Sequence, residues 1–124
     1  MDERVLNRLT AFLGRVPAID PEMEKGFYED GRWWIKFRID INHSLAWQVI
    51  QEIGSVANSL SDTQRLPCAF YPVSPAPYLS GGPKKSLSWV IENSNSDFPP
   101  FQMLKWLEGR LPNPVDDLSR WGKF

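Results

Sequence analysis

Apolar positions along the chain switch between a helical period near 3.6 and a strand period of 2, and the switches mark the elements. Val5, Leu6, Leu9, Phe12, Leu13 and Val16 recur at helical spacing. Asp2 is placed to cap that helix, and Pro17 to end it. Residues 18–25 read as an acidic loop. From Trp33 onward the alternation is strict: Trp33, Ile35, Phe37, Ile39 and Ile41 point one way, and Trp34, Lys36, Arg38 and Asp40 the other. Asp30-Gly31, just before, predicts a hairpin turn, because Gly31 tolerates a positive φ. A strand with one apolar and one polar face suits an antiparallel sheet that is covered on one side.

A second helix is predicted to start near residues 42–44, with Leu45, Val49, Ile53, Val56 and Leu60 in one stripe and Trp47 and Ile50 flanking it. "LPCAFYPV" and "SLSWVIEN" are short runs rich in aromatic and β-branched residues, hence strands. Pro99 or Pro100 suits a first helical turn, and Phe101, Leu104, Leu107 and Leu111 mark a third helix. Asn113-Pro114 reads as the start of a last short helix carrying Val115, Leu118 and Trp121. The predicted helices span residues 3–15, 44–60, 99–110 and 114–121, and the sheet draws on residues 27–41 and 68–92. The order α-ββ-α-ββ-αα implies a single α+β domain over residues 1–124, an antiparallel sheet of about four strands with helices packed mainly on one face.

Composition narrows the function classes. A length of 124 residues is ordinary for one domain, and 42% hydrophobic with 23% charged residues is ordinary globular usage. A net charge of −1 disfavours a general nucleic-acid binder, which needs a basic surface to displace counterions. Cys68 is the sole cysteine, so no intrachain disulfide can form. "MDERVLNRLTAFLGRVP" is charged from the start and lacks the apolar stretch of a signal peptide. No run approaches the roughly 20 apolar residues that span a bilayer. The expectation is a cytoplasmic protein with no membrane partner.

Candidate chemistry is sparse. "YPVSPAPYLSGGP" (residues 71–83) packs four prolines and two glycines into thirteen positions. It contains a PxxP pattern, but lies between apolar strands and carries Tyr71, Val73, Tyr78 and Leu79, which favour burial. It also fails as a phosphate loop. The Walker spacing is wrong, Pro83 removes an N–H, and the residues that follow read as strand. The remaining reading is a stiff connector that can present a fixed surface, with Tyr78 at its centre. His43 and Cys68 are the one available His/Cys pair, and nothing in their spacing brings them together. Cys68 lies in an apolar run, as an inert buried thiol does. His43 falls at a helix start, where a neutral hydrogen-bonding role is expected. One histidine and one cysteine do not make a zinc site, so neither metal nor cofactor is expected.

Trp34 is the aromatic that alternation puts on the polar face, and a partly exposed tryptophan is a common binding anchor. Near it Asp20, Glu22, Glu24, Glu29 and Asp30 form an acidic loop and hairpin tip, with only Lys25 opposing in the local sequence. Such a rim suits a basic protein partner. The candidate partner-binding residues are therefore Glu22, Glu24, Glu29, Asp30, Trp34 and Tyr78.

Three segments carry a family resemblance: "WWIKFRIDINHSLAWQVIQEIG", "LPCAFYPVSPAPYLSGGPKKSLSWVIE" and "WLEGRLPNPVDDLSRW". In this order, over residues 30–121, they resemble small bacterial immunity proteins of contact-dependent growth inhibition and related polymorphic toxin systems. The resemblance implies a non-enzymatic cytoplasmic protein that binds and blocks a cognate toxin domain, often a nuclease, without touching nucleic acid itself. A cytoplasmic protein-binding adaptor and a small enzyme using His43 are the alternative readings of the same residues.

Overall fold

The structure, a computed structural model, describes residues 3–58, 68–73 and 86–121. Its elements are α1 (Glu3–Gly14), β1 (Glu24–Phe27), β2 (Trp33–Asp40), α2 (Ala46–Asn58), β3 (Cys68–Val73), β4 (Ser86–Asn93), α3 (Pro100–Arg110) and α4 (Leu118–Trp121). The sheet has the order β1-β2-β4-β3, with every neighbouring pair antiparallel. This is the α+β arrangement that the sequence predicts.

The alternation in β2 decides which face is covered. Trp33, Ile35, Phe37 and Ile39 are at most 1% exposed. The same face continues through Trp89 and Ile91 of β4 and Phe70 of β3. Phe70 stacks on Trp89 with ring centroids 4.8 Å apart, and Phe37 stacks on Phe70 at 6.2 Å. These residues share one apolar cluster with Leu6, Leu9 and Leu13 of α1, Val49, Ile53 and Val56 of α2, Leu104 and Leu107 of α3, and Trp121 of α4. All four helices thus bury their stripes against the same side of the sheet, with α3 packed against both α1 and α2.

Polar side chains inside this layer are satisfied by specific partners. The buried Asn93 accepts the Trp33 N–H at 2.8 Å and donates to the carbonyls of Asn95 (2.6 Å) and Phe98 (2.9 Å). Trp33 Nε1 donates to the same Phe98 carbonyl at 2.8 Å, so the β4–α3 connection is tied to the sheet. Glu52 of α2, also buried, accepts from Arg110 Nε of α3 at 2.7 Å.

Several boundaries and faces differ from the sequence reading. Glu24 and Lys25, read as loop, open β1 because they pair with Lys36 and Ile35 of β2. The last helix begins at Leu118, not Pro114. Asp117 Oδ1 accepts the Ser119 N–H at 3.1 Å, so the cap lies four residues further on than Asn113. Phe101 is 46% exposed, and Met103 takes the core position assigned to it. Trp47 is 62% exposed in the first turn of α2. Asp2 and Leu60 lie outside the described residues, as does most of the proline-rich stretch, including Tyr78. No helix among the described residues is long and apolar enough to cross a membrane.

Candidate functional site

Opposite the helices, the sheet presents Trp34, Lys36, Arg38 and Asp40 of β2. Strand register puts Trp34 beside Glu92, Lys36 beside Val90 and Arg38 beside Ser88. Tyr71 of β3 pairs with Val90, which brings it to the same face. None of these residues belongs to the apolar cluster that unites the helices. Val90 is nonetheless buried, as the apolar floor of the row that runs Glu24, Lys36, Val90, Tyr71.

Trp34 has a definite seat on this face. It pairs with Gly26, and a Cβ at Gly26 would lie only 3.0 Å from Trp34 Nε1 and 3.1 Å from Cε2 and Cζ2. The missing side chain of Gly26 is thus the space into which the indole packs, and it leaves Trp34 half-buried at the surface. Tyr71 keeps more than a third of its surface exposed and donates its hydroxyl to Glu92 Oε2 at 2.5 Å. That bond favours the protonated phenol, with burial and the negative Glu92 adding to it, and pushes Tyr71 up to about 12.

The acidic residues divide. Glu22 and Glu24 lie before and at the start of β1, whereas Glu29 and Asp30 form the hairpin tip beyond its end. The whole of β1 separates the two pairs, so the structure does not gather them into one rim. Nor is Lys25 their one opposing charge, because pairing brings β2 cations alongside. Arg38 Nη2 lies 2.6 Å from Asp20 and 3.7 Å from Glu22, and Lys36 Nζ lies 3.9 Å from Glu24. At the tip, Asp30 accepts both the backbone N–H of Arg32 (3.1 Å) and its Nε (2.8 Å). The backbone hydrogen bond leads in holding Asp30 below the usual carboxylate range. Gly31 takes φ +92° in this turn, as the Asp-Gly pair predicts, and the Arg32 guanidinium lies 4.9 Å over the Tyr28 ring.

Asp20 serves the backbone more than a partner. It accepts the Glu22 N–H at 2.9 Å, and its own N–H bonds the Arg38 carbonyl at 3.0 Å, so it shapes the chain's approach to β1. Glu22 and Glu24 remain open, with side chains 87% and 72% exposed. A shallow cleft of about 370 Å³ lies between these two carboxylates, Lys36, Arg38 and Ser88.

The single histidine and cysteine are held apart from this face. His43 Nδ1 accepts the Leu45 N–H at 3.0 Å, a structural use of the ring ahead of α2. Cys68 sits in β3 on the helix-covered side, where burial pushes its thiol up to about 12, far from a reactive thiolate. Among the described residues no group of three metal-ligating side chains converges.

No family model, curated protein or solved structure matches the chain. Sequence reasoning found Trp34 through its place in the alternation but missed Tyr71 and Glu92. Their only sequence signal is that each lies one step out of phase with a core residue, Phe70 and Ile91.

Proposed function

We propose that the chain is an immunity-type inhibitor that binds a cognate toxin domain through the face of its sheet opposite the described helices. The observation that carries this reading is the pair of surface aromatics, Trp34 seated over Gly26 and Tyr71 bonded to Glu92, on a strand-built and therefore rigid platform. Fixed aromatic rings lose little entropy on binding and commonly dominate dissociation. Around them Glu22 and Glu24 are held only by contacts of 3.7 and 3.9 Å, loose enough for a partner's cations to replace Arg38 and Lys36.

A nuclease toxin fits this chemistry, since it must offer a basic surface to phosphate and can be blocked by occupying it. The resemblance to immunity proteins supports the same reading. The test is co-expression with a toxin domain encoded beside this chain. A stable one-to-one complex that protects the producing cell is expected, with Trp34→Ala speeding dissociation by about tenfold or more. A chain that neither binds nor protects ends the immunity reading. A tight complex indifferent to Trp34→Ala and Tyr71→Ala would keep the function and reject the surface.

A further inference from the structure

The two rims of the sheet are not equivalent. On the β3 rim Pro72 lacks an N–H, which blunts that strand as a template. β1, on the opposite rim, has no proline. Its hydrogen-bond phase follows from the hairpin, where the Tyr28 N–H donates to the Arg32 carbonyl at 2.7 Å. Antiparallel pairs alternate between bonded and non-bonded, so Gly26 with Trp34 and Glu24 with Lys36 are the next bonded pairs. Lys25 and Phe27 therefore direct their N–H and C=O groups away from β2. No described strand pairs with them.

Beside this rim, on the helix side, runs a groove of about 420 Å³ between α1 and the chain leading into β1. Its floor includes Ala11, Gly14, Pro21 and Met23, and a Cβ at Gly14 would meet the Pro21 Cβ at 3.4 Å. Lys25 supplies its charge together with Arg15, whose Nη2 lies 3.4 Å from Asp116, and none of the described lining residues is a carboxylate. The other side of the same strand carries the exposed carboxylate of Glu24, 3.9 Å from Lys36 Nζ, and the Trp34 indole over Gly26.

We infer that β1 receives an extended segment of a partner protein as a fifth strand, acidic on its helix-facing side and uncharged on the other. Lys25 and Phe27 provide the backbone donors and acceptors for such an addition. Carboxylates on the helix-facing side meet Lys25 first and can compete with Asp116 for Arg15, while Glu24 repels negative charge from the opposite side. A second copy of this chain is selected against, because it would bring another Lys25 to the same rim. The inference goes beyond the toxin reading and uses a different surface, so either can fail alone.

The test is amide exchange by NMR, with a capped octapeptide alternating glutamate and threonine as the probe and its lysine–threonine counterpart as control. The acidic peptide is expected to slow exchange at Lys25 and Phe27 by about tenfold or more while Gly26, already bonded to Trp34, is unchanged. Lys25→Glu should reverse the preference between the two peptides by about tenfold. Lys25→Pro, which removes an outward N–H, should abolish binding of both. If that variant perturbs the hairpin, the charge reversal alone still decides. The inference is overturned if the acidic peptide shows no saturable binding, if both peptides bind alike, if protection appears at residues other than Lys25 and Phe27, or if the chain self-associates through β1.

Discussion

On one face of β2, Trp33, Ile35, Phe37 and Ile39 are at most 1% exposed. One residue along, Trp34, Lys36 and Arg38 stay partly open to solvent. The same eight residues build both faces, so the difference comes from what each face meets. The covered side meets four helices and needs only apolar volume of the right shape. The open side meets none of these helices, and its polar residues are matched across the sheet: Lys36 to Glu24 and Arg38 to Asp20 from β2, and Tyr71 of β3 to Glu92 of β4. Stability should therefore reside on the first face, and under the proposed function partner choice resides on the second.

The contrast is open to direct attack. Phe37→Ala carries the largest expected effect, a loss of about 3–5 kcal/mol in urea unfolding, because it empties a site stacked against Phe70. A loss under about 1 kcal/mol would mean that the covered face is not the source of stability. Asn93→Ala comes next, at about 1–3 kcal/mol, since it strands the buried Trp33 N–H without its acceptor. Trp89→Phe sharpens that comparison. Its Nε1 is buried with no hydrogen-bond partner among the described residues, so the variant loses no hydrogen bond seen there, and a change within about 1 kcal/mol is expected.

The smallest effect belongs to the open face and depends on pH. Tyr71 is raised to about 12 in the folded chain by its bond to Glu92. A raised value means that folding favours the protonated phenol. Its contribution is whole below the ordinary phenol value of about 10 and is lost as pH rises toward about 12. Melting temperatures of the parent and Tyr71→Phe should therefore differ slightly near pH 9 and converge by about pH 12. A gap that widens with pH would show that the Glu92 bond does not hold in solution.

Short-range pattern was enough for much of this molecule. The strict alternation from Trp33 to Asp40 reports burial on one side, and the Asp30-Gly31 turn reports positive φ, both within a few residues. The α1 stripe is equally local. By itself, then, the sequence determined the element order, the α+β class and the covered face of β2, because a period of 2 or 3.6 is a property of neighbours along the chain. It did not determine how the charges are used. Asp20, Glu22 and Glu24 look unopposed beside Lys25, yet Arg38 and Lys36 lie 12 to 18 positions away and reach them only through the antiparallel pairing. Likewise, Tyr71 meets Glu92 across 21 positions, and the open rim at Lys25 and Phe27 follows from hydrogen-bond phase. Register and phase are relations between distant segments. They became definite only when the helices had chosen one side of the sheet and the strands had closed against each other.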